Sequence, residues 1–136
     1  MTDAKEQLVE SWLVRAQHDL ASSRVLAANN PPLLDTAIYH CQQAMEKAIK
    51  GYLVFCDKEF ERIHDLEVLM RYAIPFESGF SAWIDKGRQI TPYATLFRYP
   101  GSAIEPTREQ FERALSSADD FYNFVLSLLP SVVWPG

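Results

Sequence analysis

The stretch LLDTAIYHCQQAMEKAIKGYLVF, residues 33–55, decides the fold. Placed at about 100° per residue, Ile38, Cys41, Met45, Ala48, Ile49 and Tyr52 fall within one half-circle, the pattern of a core-facing helix. No alternation of period two runs through it, so a strand is excluded. Upstream, Val9, Leu13, Ala16, Leu20 and Ala27 recur at helical spacing, with Leu8 and Trp12 beside them, and predict a helix from Asp3 to about Ala28. Asn29-Asn30-Pro31-Pro32 ends it, because proline lacks an amide donor and biases the residue before it out of the helical region.

Downstream, a turn around Asp57–Ile63 leads to a short helix over His64–Ala73 carrying Leu66, Leu69, Met70 and Ala73, which Pro75 closes. Ser78–Phe97 holds Gly79, Gly87 and Pro92, so a bent or interrupted helix is expected there. Arg98-Tyr99-Pro100-Gly101-Ser102 reads as a turn. Thr107-Arg108-Glu109-Gln110 has capping-box spacing and opens a last helix lined by Phe111, Ala114, Leu115, Ala118, Phe121, Tyr122, Val125 and Leu128. Val132-Val133-Trp134 is an apolar tail that folds back on the core or meets a second subunit. The expected fold is all-α: one domain over residues 1–136, an up-and-down antiparallel bundle of four long helical segments plus a short helix.

The 136 residues, 48% hydrophobic and 23% charged, suit one globular core. The net charge of −5 argues against coating nucleic acid by bulk electrostatics and leaves room only for a local basic site. Cys41 and Cys56, fifteen positions apart on one expected helix, would stand about 22 Å apart, too far for a disulfide. Reduced thiols, an N-terminal stretch without an apolar signal core, and no run of membrane-spanning length give a cytoplasmic protein as the expectation.

Three places could carry chemistry. On the second helix His40, Gln43, Lys47 and Lys50 are spaced three, four and three apart, within about 80° of arc on the side away from the apolar half. An imidazole, an amide and two ammonium groups on one strip could take a nucleotide or RNA phosphate; equally, the strip could be a solvated face with Glu46 and Lys50 as an ordinary i, i+4 pair. His64 and Asp65 open the third helix: Asp65 as a cap, His64 as a buried hydrogen-bonded residue or as an acid/base. Arg98 and Tyr99 put a cation and an aromatic at a rigid turn, where Arg98 could also cap the preceding helix C-terminus. His18, His40 and His64 lack the spacing of a metal site, no glycine-rich phosphate loop occurs, and neither cysteine has the surroundings of a nucleophile, so no metal or cofactor is expected.

His40-Cys41-Gln42-Gln43-Ala44-Met45-Glu46-Lys47-Ala48-Ile49-Lys50 resembles the H-x-Q-Q-A-x-E-K-x-x-K helix of HEPN domains. The order of the remainder agrees: an A-x-x-D-L segment at Ala16–Leu20 with Asp19, then His64-Asp65-Leu66, Arg98-Tyr99-Pro100 and a final helix, over about Trp12–Leu129. The resemblance implies a helical bundle that commonly dimerises, often beside a minimal nucleotidyltransferase in a toxin–antitoxin-like pair. Many such domains are ribonucleases with an Arg followed four to six residues later by a His. Here no histidine follows Arg88, Arg98, Arg108 or Arg113, and Arg62 and His64 are only two apart, so the usual acid/base is missing.

The leading expectation is therefore a non-catalytic module that binds a nucleotide or nucleic-acid phosphate through His40, Gln43, Lys47, Lys50, His64, Asp65, Arg98 and Tyr99, with a nucleotidyltransferase partner. A metal-independent ribonuclease with a variant site, His64 its candidate acid/base, and a purely protein-interaction domain are the alternatives. A homodimer is expected through Tyr93, Phe97, Tyr99 and the Val132–Trp134 tail.

Overall fold

The computed structural model of the chain describes residues 3–100 and 104–136. Its α-helices are α1 (Ala4–Ala28), α2 (Leu34–Phe55), α3 (Leu66–Ala73), α4 (Ile84–Ile90) and α5 (Arg108–Ser127), with 3-10 turns at Ser78–Trp83, Thr91–Ala94 and Ser131–Val133. The all-helical architecture agrees with the sequence reading. The fourth long segment expected over Ser78–Phe97 is interrupted: two short 3-10 turns flank the seven-residue α4. Gly101 and Ser102 of the expected turn lie outside the described residues.

Each boundary has a local cause. Asp3 accepts from the Glu6 amide at 2.7 Å while the Glu6 side chain reaches back to the Asp3 amide, a capping box that starts α1. Thr107 and Gln110 form the same device at α5, as the spacing predicts. Asp65 caps α3 by accepting from the amides of Glu67 and Val68. The end of α2 is a Schellman turn, in which the Lys58 amide donates to Leu53 O and the Asp57 amide to Val54 O. Asp57 occupies its left-handed position at φ 56°. Cys56 is thus just past the helix; it and Cys41 are free thiols, one half-buried and one buried.

Helix α2 is the centre of the bundle. It packs against α1, α3, α5 and the Thr91–Ala94 turn, so nearly its whole circumference between Ala37 and Leu53 is buried. Its apolar half meets α1 and α5 through Ile38, Met45, Ile49, Leu13, Phe121 and Val125, all fully buried. At the α3–α4 contact the helices come so close that a Cβ on Gly87 would stand 2.8 Å from Met70 Sδ and 3.4 Å from Leu66 Cβ. A side chain here would have to displace the thioether end of Met70, so glycine lets the helices approach without repacking. Glu67 ties the same pair of helices from outside, bonding Arg71 on its own helix and Arg88 on α4; those two guanidiniums hold its carboxyl down at about 2.

The tail folds back on its own chain. Val133 is fully buried, and the Trp134 indole donates to Leu126 O and Leu129 O at the end of α5. Val132 and Trp134 keep part of their surface in water. Phe97, expected on a subunit interface, is buried in its own core and stacks on Tyr93, so Tyr99 is the fully exposed aromatic of that trio.

Candidate functional site

The strip His40, Gln43, Lys47, Lys50 does not face away from the protein. Because α2 is surrounded, the side opposite its apolar half is also packed, against Trp12 and Asp19 of α1 on one flank and the Phe60–Asp65 connection on the other. A charge placed there must find an opposite charge, since desolvating an ion without a partner costs several kcal/mol. Two carboxylates meet that need.

The first is Asp19, buried in α1. Its Oδ1 lies 2.7 Å from His40 Nδ1 and its Oδ2 accepts from Lys47 Nζ at 2.7 Å. The second is Glu46, also buried. It accepts from Lys50 Nζ at 2.9 Å and from Gln42 Nε2 at 3.1 Å, and His64 Nδ1 lies 3.1 Å and 3.2 Å from its two oxygens. Burial pushes the Glu46 carboxyl up, but the hydrogen bonds from Lys50, Gln42 and His64 together outweigh it and leave the group below its ordinary value. The Lys50 ammonium also lies over the rings of Trp12 and Phe60, 5.8 Å and 5.6 Å from their centroids. Gln42 ties α2 to the connection before α3 by donating to His64 O, and it accepts from Gln43 Nε2 at 2.6 Å. Among the described residues every buried side-chain polar atom has a partner.

These contacts decide what each group can offer. An ionised carboxylate only accepts, so both Nδ1 atoms must carry the proton, and in the neutral rings Nε2 is left as the acceptor. Each imidazole is therefore oriented by a carboxylate that a lysine also holds. His64 is exposed, with 67% of its side chain in water, which corrects the expectation of a buried histidine. Lys50 is nearly buried and Lys47 half-buried, and both are neutralised by their carboxylates. Either lysine meets a phosphate only by sharing its ammonium with that carboxylate.

Arg98 is differently placed. It does not cap the preceding helix; its guanidinium lies over the Tyr39 ring at 3.9 Å, and Tyr39 meets the His40 ring edge-on at 5.4 Å. Arg98 is exposed, and none of the ion pairs among the described residues includes it. Stacking fixes the plane of the guanidinium while leaving its N–H edge free. Arg98, Tyr39 and His40 thus form one cluster at the surface. Asp65 serves as a helix cap, and Tyr99 stands exposed beside Arg98 in sequence.

Sequence reasoning missed Asp19, Tyr39 and Gln42 as site residues. The signal was there for two of them: Asp19 lies three after Ala16 and four before Ser23, on the buried stripe of α1, and Gln42 lies four after Ile38 and four before Glu46. A polar residue in register with core positions marks a buried network. Tyr39 has no such mark. Among the described residues no three His, Cys, Asp or Glu side chains are grouped to hold a metal ion, and no helix is long and apolar enough to cross a membrane.

Neither the curated proteins nor the solved structures give a match to the chain. A family model does, and it covers residues 9–128, from the first buried valine of α1 to the end of α5, including α2 with both carboxylate clusters. This helical chain belongs to the HEPN domain family.

Proposed function

We infer that the domain is a HEPN module that binds a nucleotide or nucleic-acid phosphate at the Arg98–Tyr39–His40 cluster, without catalysis, and works beside a nucleotidyltransferase in a toxin–antitoxin-like pair as a homodimer. The observation that carries the ligand half is the exposed guanidinium of Arg98, stacked on Tyr39 and free of any ion pair among the described residues, next to an imidazole oriented by Asp19. A planar cation with its donor edge in water matches the paired oxygens of a phosphate. His40, Gln43 and Lys47 flank it; Lys50, His64, Asp65 and Tyr99 are secondary members of the ligand set, Lys50 because it is tied to Glu46.

Titration calorimetry with ATP, GTP and a short RNA is the test. Arg98→Ala should weaken binding of all three by at least about tenfold, the scale of one lost charge-assisted contact. No heat with any of the three in the wild type would end the ligand reading. Co-expression with the product of the neighbouring reading frame tests the partner, and sedimentation equilibrium in the micromolar range tests for twice the 15.6 kDa chain mass.

A second reading has one observation in its favour. The His64–Glu46 pair is an exposed imidazole oriented through Nδ1 by a buried carboxylate, the arrangement a general base requires. Cleavage of single-stranded RNA that persists in EDTA and is lost in His64→Ala would replace the non-catalytic reading.

A further inference from the structure

Helix α1 buries one side and leaves the other without a neighbour. Val9, Leu13, Ala16, Leu20 and Ala27 face the core. On the outside run Ala4, Gln7, Ser11, Val14, His18 and Ala21, all exposed apart from the half-buried Val14. Their spacing is three, four, three, four, three, and Val25, 70% exposed, continues it by four. An average of 3.5 residues sustained over the whole helix is the spacing of a coiled-coil seam. Six Asp, Glu, Lys or Arg residues lie on α1 and none falls on this seam, although a face that meets only water normally carries charge along its centre. A shallow groove of about 340 Å³ follows the seam, lined by α1 alone.

We propose that the outer face of α1 is the homodimer interface, and that its occupant is α1 of a second copy, running parallel and in register. The proposal rests on the homodimer reading above and adds to it the face and the orientation. Charge selects the occupant. Glu10 and Arg15 border the seam on opposite edges; five apart on one helix, they cannot reach each other. Neither takes part in an ion pair among the described residues. In a parallel pair the edge that holds Glu10 lies against the second copy's edge that holds Arg15, at the offset of five residues that bridges such edges, and the two-fold makes the contact twice. An antiparallel pair sets each edge against its own kind, so Glu10 and Arg15 of different copies stay on opposite sides of the seam. The other cation on the Glu10 edge, Arg24, is already bound to Asp119 of α5. Because both members of the pair come from one seam, the match is to this chain itself rather than to a foreign helix. Val14 and Val25 supply apolar layers, and each Gln7 faces the second copy's Gln7 at amide hydrogen-bonding reach.

The test is sedimentation equilibrium of the full chain in the micromolar range, where the wild type should give about twice the 15.6 kDa chain mass. Glu10→Arg and Arg15→Glu should each weaken the dimer ten times or more, and Glu10→Arg/Arg15→Glu should return it to within about threefold of the wild type. Ser11→Glu sets two carboxylates face to face from an exposed position and should give a monomer with an unchanged far-ultraviolet helix signal. Orientation is read from Ala21→Cys in a Cys56→Ser background. The parallel pair brings the two new thiols together and should yield a disulfide-linked dimer on oxidation, whereas an antiparallel pair with most of the seam overlapped holds them beyond disulfide reach. A dimer that none of these changes moves would overturn the α1 face and spare the homodimer reading. A dimer lost in Ser11→Glu, with no rescue by the charge exchange and no cross-link through Ala21→Cys, would overturn the parallel pair. A wild type that sediments as a single chain would remove both.

Discussion

Replacing Glu46 by Leu should cost far more than replacing Glu46 and Lys50 together. Their side chains are 5% and 7% exposed and bond at 2.9 Å, so the pair is desolvated on both sides. Breaking such a pair from one side typically costs about 3–5 kcal/mol, because the remaining ion stays buried without its counter-charge, whereas replacing both partners by apolar residues is often neutral or stabilising. The two single changes are not equivalent. Glu46→Leu leaves the Lys50 ammonium with only the rings of Trp12 and Phe60 and should fall at the upper end. Lys50→Met leaves Glu46 with donors on Gln42 and His64 and should fall at the lower end. Glu46→Leu/Lys50→Met should come within about 1 kcal/mol of the wild type or exceed it. Against a domain stability of about 5–15 kcal/mol, the single changes are severe.

Urea denaturation at pH 7, analysed as a double-mutant cycle, gives the coupling directly. Acid adds an independent reading. The Glu46 carboxyl in the folded chain lies below its ordinary value of 4.5, so the unfolded state takes up its proton first. Its contribution is complete above the unfolded value and is lost as the pH falls through the folded one. The wild type should therefore lose stability below about pH 4.5 more steeply than the double variant, which has no Glu46 to titrate. Single changes that cost under about 1 kcal/mol each and simply add in the double variant would refute the claim that the pair is desolvated.

Asp57→Gly should be more stable than Asp57→Ala by about 1 kcal/mol in urea melts, because both lose the exposed Lys5 pair and only glycine accepts the left-handed backbone without strain. Gly87→Val should lower stability by about 1–3 kcal/mol through overpacking against Met70, and the penalty should shrink in a Met70→Ala background if the clash is the cause. Of the two thiols, Ellman's reagent should reach only Cys56 in the native chain and both in urea. Burial pushes Cys41 up to about 12, leaving almost no thiolate at pH 8, and raises Cys56 to a smaller extent at a half-buried position. Rapid native labelling of both would show that the Cys41 region opens easily.

The helices were legible because their signals are local. Thr107–Gln110 predicts its capping box, Pro31 and Pro75 mark ends, and the glycines and proline of residues 78–97 mark a broken segment. Burial of α2 was not legible, because a helix wheel ranks residues by polarity and cannot say how many neighbours a helix has. Lys50 and Glu46 look like a surface pair in sequence; three helices and a turn around α2 make them a buried one. The site divided along the same line. The positions His40, Lys47 and His64 were readable, but their partners Asp19 and Glu46 sit on buried faces, where a carboxylate is easily taken for solvated surface. Arg98 over Tyr39 joins residues fifty-nine apart in the chain, and no local pattern encodes that contact.

The two carboxylates also divide the molecule mechanically. Asp19 fastens α1 to α2, whereas Glu46 reaches His64, the residue that leads into α3. The α3–α4 corner is tied internally by the Met70–Gly87 approach and the exposed Glu67 clasp, and it joins the bundle through the buried Leu66, Leu69, Met70, Ala73 and Phe80. Partial unfolding follows the weakest seams of a protein. Because these two helices are the shortest of the five, α3 with α4 is the unit expected to detach first. When it swings out it takes His64 away from Glu46 while Asp19, His40 and Lys47 stay in place. In amide hydrogen exchange α1, α2 and α5 would form the slow block and residues 64–94 the fast one, so one half of the polar face breathes while the other is held.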